Sequence, residues 1–243
     1  MKVAILNYSG SVGKTVTASH LLAPRMHGAQ IFAIESTNET AGDLGLDIDM
    51  LRGEQFGKLF RDLLAIDDAI VDVGASNIED FLTAMNRYEG AYEELDYFVL
   101  PVVNTGKAQR ETIKTVAALA GLGVPAERVR VLFNRVEADV EDEFLAILAY
   151  ADKTSEFIAN PKAIIYENEV FEMLADLRTT IQDVLADDTD YRAQLRKEDP
   201  AHQARRSHLS NMIALQALAK PVARQMDAAF TALFQSPMPS TGD

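Results

Sequence analysis

Residues Asn7–Ala18 read NYSGSVGKTVTA and lie between an apolar run, VAIL at 3–6, and a segment of helical period. A glycine-rich stretch ending Gly13-Lys14-Thr15, set between a strand and a helix, has a mechanical reading. Gly10 and Gly13 let the backbone turn and aim N–H groups at phosphate oxygens. The first turn of the following helix adds the positive end of its dipole. Lys14 is placed to reach β- and γ-phosphates, and the Thr15 hydroxyl to ligate magnesium. The general pattern GxxxxGK(S/T) would put its first glycine at position 8, where this chain has Tyr8.

Outward from the loop, short apolar runs alternate with amphipathic segments. Strands are predicted at Lys2–Leu6, AQIFAIE, DAIVDVG, LDYFVLPVV and RVRVLFNRV, with KAIIYEN as a last strand. Helices are predicted at 14–26, in GEQFGKLFRDLLA, where Phe56, Leu59, Phe60 and Leu63 share a face, in NIEDFLTAMNRYE and in KAQRETIKTVAALAGLG. This alternation implies parallel crossovers: an α/β fold with a mainly parallel sheet, helices on both faces and a helical C-terminal extension. After about residue 140, EDEFLAILAYADKTSEF reads as one helix, and from Val170 the chain reads almost wholly helical. The stretch Tyr191–Arg206 reads as a mobile loop or a projecting helix, and Pro221 is expected to kink or break a helix. The organisation expected is a core over 1–175, a helical extension packed on it over 176–235, and a disordered tail over 236–243. There is no internal repeat.

The chain has 243 residues, 48% of them hydrophobic, enough for one sizeable core. Its 23 basic and 37 acidic residues give a net charge of −14, which argues against a nucleic-acid clamp as a whole while leaving room for a local basic patch. The absence of cysteine excludes disulfides, thiolate catalysis and cysteine–zinc sites. His20, His27, His202 and His208 show no metal-binding spacing. No apolar run approaches the ~20 residues of a membrane span, and the N-terminus enters a strand directly, so a cytoplasmic protein is expected.

The loop SGSVGKT, the Asn7 before it and the TVTASHLL after it resemble the deviant Walker A ATPases of the ParA and MinD type, whose loop reads KGGxGK(S/T). The agreement lies in Asn7, Gly10, Val12, Gly13, Lys14 and Thr15, and the resemblance covers roughly the first 175 residues. NYSGSVGKT, HLLAPR, IESTN and DVGASNIEDFL resemble a plasmid-stability branch of that family. The resemblance implies a P-loop fold that binds ATP or ADP with Mg2+ through Ser9, Gly10, Ser11, Val12, Gly13, Lys14, Thr15 and Val16. Ser9 stands where the family carries a lysine that reaches the partner's phosphates across a nucleotide-dependent homodimer. A serine offers a hydrogen bond without that charge, so the trans-lysine mechanism is altered here.

Three further positions complete the expected site. Asp72 ends the third predicted strand and is placed to hold magnesium through water. Gly74, Ala75 and Ser76 after it resemble a switch entry, although the family's usual proline is absent. The second strand ends in AIESTNE, where relatives carry a DxD pair; Glu35 takes the first place and Thr37 the second. Thr37 can hydrogen-bond a water but cannot act as a carboxylate base, which implies weakened or rerouted hydrolysis. At the end of RVRVLFNRV, Asn134 has the donor and acceptor that match adenine, and Arg135 could stack on the base; the NKxD motif of a GTPase is missing.

Two charged stretches remain. Glu167–Asp190 holds eight acidic residues and Arg178, and reads as a solvated face. Arg192–Arg224 gathers seven basic residues, among them Arg192, Arg196, Lys197, Arg205 and Arg206, and reads either as mixed surface or as a dock for DNA or for a DNA-binding partner protein. No basic amphipathic end suggests a membrane helix. Three functions compete: an ATP-driven switch, a nucleotide-locked adaptor without turnover, and a metabolic ATP-dependent enzyme such as a relative of dethiobiotin synthetase. The last would need a substrate pocket that no motif in the sequence supplies.

Overall fold

The computed structural model describes residues 1–34, 48–51 and 56–234, and of 48–51 the backbone alone. Glu35, Thr37 and the tail expected at 236–243 lie outside the described residues. The described chain builds one parallel sheet from β1 Lys2–Ile5, β2 Gln30–Ile34, β3 Ile48–Leu51, β4 Ala69–Val73, β5 Tyr97–Val102, β6 Val129–Val136 and β7 Ile164–Tyr166. The order across it is β3-β2-β4-β1-β5-β6-β7. Six of these strands are predicted from the sequence; β3 is not. Its residues, IDML, are few and carry an acid, and an edge strand paired only with β2 can be short and polar where a central one cannot.

The winding explains where the helices lie. From β1 the chain moves one way across the sheet to β2 and β3, then reverses and runs through β4, β5, β6 and β7. Because parallel crossovers are right-handed, the reversal switches the covering helices to the opposite face. The later helices are α2 Phe56–Leu64, α3 Ile78–Arg87, α4 Gly106–Gly121, α5 Val140–Glu143 and α6 Leu145–Thr154. They bury Phe56, Leu59, Phe81, Val116 and Ile147 with Ala4, Val71 and Leu100 of the sheet. The other face carries Val3, Ile5, Ile70, Val99 and Leu132. Among the described residues, the early part of the chain gives this face only the helix after β1, which leaves apolar surface for later elements to cover.

The C-terminal helices fill that deficit: α7 Val170–Leu177, α8 Ile181–Ala186, α9 Tyr191–Lys197 and α10 Gln203–Phe234. Leu215, Ala219, Val222, Met226, Ala229 and Leu233 recur along α10 at helical spacing and pack into this second core. Arg25, from HLLAPR, fastens α10 to the helix after β1. Its Nε donates to Asp227 Oδ1 at 2.9 Å, its Nη2 to the Ala223 carbonyl at 3.0 Å, and its Nη1 to the carbonyls of His20 and Leu21.

Several local expectations change. The helix predicted at 14–26 is α-helical only over Lys14–Val16, here α1, and continues as a π-helix over Thr17–Leu22, all six residues buried. The single helix predicted in EDEFLAILAYADKTSEF is two, α5 and α6, broken at Phe144 (φ −122°, ψ 32°). Burial decides this: Phe144 is wholly buried and meets the Phe133 ring edge-on at 4.9 Å. Pro221 does not break α10, which runs through it for 32 residues. An interior proline costs ~3 kcal/mol, and the buried neighbours Ala219 and Val222 on the same helix offset it. In Tyr191–Arg206, Tyr191–Lys197 is helical and packs against α10.

Candidate functional site

Pairing of β1 with β4 sets Ile5 opposite Asp72, so the loop leaving β1 and the acid near the end of β4 meet at the C-terminal ends of these two interior strands. The loop is held from below by Asn7, which has no exposed surface. Its Nδ2 donates to the Pro101 carbonyl at 2.9 Å and to Thr112 Oγ1 at 2.6 Å, and its Oδ1 accepts the Ser9 N–H at 2.9 Å. Tyr8, in the place of the general motif's glycine, ties the loop to α4: its N–H donates to Thr115 Oγ1, and the Lys114 ammonium lies 4.2 Å from its ring centre. Burial, then the charges of Glu79 and Glu111, push the Tyr8 hydroxyl above its ordinary range.

The turn falls at Ser11 and Gly13. Ser11 has φ +56° and Gly13 φ +87°, whereas Gly10 stays outside the left-handed region, contrary to the expectation that Gly10 is needed to make the turn. A Cβ on Gly10 would meet nothing within 4 Å, while one on Gly13 would stand 2.2 Å from Asn134 Nδ2. Ser9 is 7% exposed, with its hydroxyl donating to the Gly10 carbonyl at 3.4 Å. It is thus turned into the loop rather than outward. Val12 is buried, and Val16 lies half-buried in the first helical turn.

Lys14 Nζ donates to the carbonyls of Ser9 at 3.1 Å and Asn7 at 3.3 Å, and so lies across the loop. Thr15 Oγ1 donates to Asp72 Oδ2 at 3.3 Å, and Asp72 is 4% exposed. Two hard oxygen donors on adjacent elements suit Mg2+, which takes one or two protein ligands and fills the rest of its shell with phosphate and water. The turn Ala75–Asn77 follows β4 and is pinned to the end of β2. The Gly74 N–H and Asn77 Nδ2 both donate to the Ile34 carbonyl, at 2.9 and 3.3 Å.

Asn134 ends beside the phosphate loop, two strands from β1. It is 3% exposed and its Nδ2 donates to the Val12 carbonyl at 2.8 Å, so its amide braces the loop. Arg135 sits at a bulge with φ +54°, exposed, 3.8 Å from Glu167. Beyond it, Glu143 accepts the N–H groups of Glu137, Ala138 and Asp139. Partial desolvation pushes the Glu143 carboxyl up, but those three amides and the Asn104 amide outweigh it and hold it below the usual carboxylate range.

In the π-helix that continues α1, His20 is 4% exposed, its ring 6.1 Å from that of Phe171 and its Nδ1 without a hydrogen-bond partner. Burial pushes it down to about 4, against a smaller upward pull from Asp183.

The basic segment is mixed in role. Arg206 Nη1 donates to the carbonyls of Leu195 and Glu198 at the end of α9, and Arg205 Nη2 to Gln194 Oε1. Arg192, Arg196 and Lys197 are exposed on α9. Among the described residues no helix is long and apolar enough to cross a membrane.

The fold thus brings Lys14, Thr15, Asp72 and Asn134 together at the C-terminal ends of the strands. Arg135 stands on the rim, and the α9 cations lie on the C-terminal helices. Sequence reasoning missed Thr112, Thr115 and Glu143. Nothing local marks the two threonines, since their partners are about 105 residues away. For Glu143 there was a signal: a capping aspartate at 139 followed by carboxylates at 141–143, where helix-start amides need acceptors.

No protein-family model and no curated protein sequence matches the chain. Solved structures do match. An ATP complex of a McdA variant from Cyanothece is 14% identical, with 88% of this chain and 97% of that chain covered and a TM-score of 0.50. MinD cell division protein from Aquifex aeolicus is 17% identical, with 89% and 98% covered and a TM-score of 0.50. The MinC:MinD complex from the same organism gives 16%, 89% and 96%, with a TM-score of 0.51. The architecture is therefore the P-loop NTPase fold of the ParA and MinD type.

Proposed function

We propose that the chain is a ParA-like, ATP-binding and slowly hydrolysing switch protein that helps to maintain or position a plasmid, resembling StbB within its family. The observation that carries the nucleotide reading is the 3.3 Å contact between Thr15 and Asp72, made where Lys14 crosses a loop that opens a helix. Gly10 offers open approach to a phosphate, and Lys14 can exchange its two loop carbonyls for phosphate oxygens. Thr15 and Asp72 would hold Mg2+, which when bound supplies charge neutralisation for the transferred phosphoryl group. The loop amides and Lys14 stabilise the same charge. In this reading Asn134 and Arg135 belong to the base end, and Glu35 and Thr37, which lie outside the described residues, are assigned the water side from the sequence alone. Arg192, Arg196, Lys197 and Arg205 are the cations available for DNA or a DNA-binding partner, with Arg206 serving mainly to cap α9. A cytoplasmic protein forming a nucleotide-dependent homodimer completes this reading.

The test is thermal. Mg-ATP at ~100 times its dissociation constant stabilises a one-site protein by ~2.7 kcal/mol, so it raises Tm of the wild type, and Lys14→Ala abolishes the rise. Equal stabilisation of the variant would sink the assignment. The inward Ser9 hydroxyl favours a second reading, a nucleotide-locked adaptor without turnover. Steady-state phosphate release separates the two. If a missing carboxylate limits turnover, Thr37→Asp accelerates release, within the ~10²–10⁴-fold that a positioned base contributes.

A further inference from the structure

One side chain closes the loop between β6 and α5. Glu143 Oε1 accepts the N–H groups of Glu137 at 3.1 Å, Ala138 at 2.6 Å and Asp139 at 3.1 Å. Its Oε2 accepts Asn104 Nδ2 at 3.2 Å and a second, longer contact from the Glu137 N–H at 3.3 Å. The main chain at both ends is held as well: Gln109 Nε2, on a residue 7% exposed, donates to the carbonyls of Glu143 at 2.9 Å and Asn104 at 3.1 Å. The loops that follow the neighbouring strands β5 and β6 are thereby joined into one wall. That wall stands beside Asn134, which touches the phosphate loop at Val12. In an open parallel sheet, ligands lie in the crevice outside such strand ends.

The loop and the start of α5 carry Glu137, Asp139, Glu141, Asp142 and Glu143, acids that repel one another. One of them nonetheless turns inward onto three consecutive amides, the way a bound anion sits in a backbone nest. With the N–H groups of 137–139 consumed, and the Asp139 carbonyl itself taken by the Glu143 N–H at 3.1 Å, the main chain there has the carbonyl oxygens of Glu137 and Ala138 to offer a ligand. Such a surface accepts hydrogen bonds and does not donate them. It suits the exocyclic amino group of adenine and opposes a keto oxygen at the same ring position.

We infer that Glu143 is a positioning residue for the nucleotide base: it fixes the loop 137–139 so that acceptors face an exocyclic amine, without itself touching the nucleotide. This rests on the proposed nucleotide site. The test is calorimetric titration of the full chain with Mg-ATP, Mg-GTP and Mg-tripolyphosphate, a ligand with the phosphates and no base. The wild type is expected to bind ATP more tightly than GTP or tripolyphosphate. Glu143→Ala is expected to weaken ATP about 10-fold, the worth of one to two lost hydrogen bonds, while tripolyphosphate changes by less than about 2-fold and the preference for ATP over GTP shrinks. Glu143→Gln, which keeps the shape and one acceptor oxygen, falls between and carries the test if the alanine variant does not fold. An unchanged ratio of ATP to tripolyphosphate affinity, or equal loss of both, overturns the role of Glu143 alone. A wild type that binds neither ligand overturns the nucleotide site and this inference with it.

Discussion

The proposed phosphate end and the proposed base end of the candidate site are held by different forces. At the phosphate end the backbone itself is constrained: Ser11 and Gly13 take left-handed conformations, and the uncharged, fully buried Asn7 fastens the loop to the strand and helix beneath it. At the base end an ionised, half-exposed carboxylate gathers three amides. The first design is sensitive to side-chain volume and to φ. The second is sensitive to charge. Asn134 joins them, since it braces the phosphate loop from the strand that leads into the base loop.

The strongest way to break this comparison is Gly13→Ala. Left-handed alanine costs about 1–2 kcal/mol, and a Cβ 2.2 Å from Asn134 Nδ2 forces a side-chain shift worth about 1–3 kcal/mol more. We expect a loss of about 2–5 kcal/mol in denaturant unfolding. Adding Asn134→Ala removes the clash but not the strain, so the double variant is less destabilised than the sum of the singles by about 1 kcal/mol. Strict additivity would separate Asn134 from the loop.

Acid distinguishes Glu143 from His20. His20, in the π-helix under the C-terminal helices, titrates near 4 in the folded chain and near 6.5 unfolded, so the unfolded state binds more protons between those values. Its stabilising share is complete above pH 6.5 and is lost as pH falls towards 4, about 3 kcal/mol in all. His20→Leu flattens stability over that window; an unchanged acid slope would show that His20 is not the group titrating. Glu143 behaves differently. Its folded carboxyl lies below the ordinary value of 4.5, so its contribution is full above that value and is lost as pH falls from there through the lowered value. Hydrogen exchange at the amides of 137–139 should therefore stay protected at pH 5, where part of the His20 share of stability is already lost. Early loss of that protection would contradict the carboxylate clasp.

The smallest expected effect is a gain. Ser11→Gly relieves the left-handed strain of a non-glycine residue at φ +56°, offset in part by the greater freedom of glycine in the unfolded chain. A net stabilisation of about 0.5 kcal/mol is expected. Destabilisation would mean that the serine hydroxyl makes a contact that outweighs its strain.

What the sequence determined by itself was whatever depends on local pattern. Period-two and period-3.6 apolar runs gave six strands and most helices, and Gly13-Lys14-Thr15 after a strand gave the loop. Asp72 followed because a strand end is readable once the strand is. Tertiary structure decided what depends on distant partners. β3 exists because the edge of β2 needs only a few residues to pair with. Phe144 divides a helix because the core beside Phe133 claims its ring. Pro221 remains inside α10 because the sheet face that the early helices leave open rewards a continuous apolar stripe. Asn7, Thr112 and Thr115 become loop supports, and Arg206 a helix cap, only when the chain brings carbonyls, amides and hydroxyls remote in sequence within 3.2 Å of them. A buried polar group must find a partner, and no periodicity in the sequence records which partner the fold will supply.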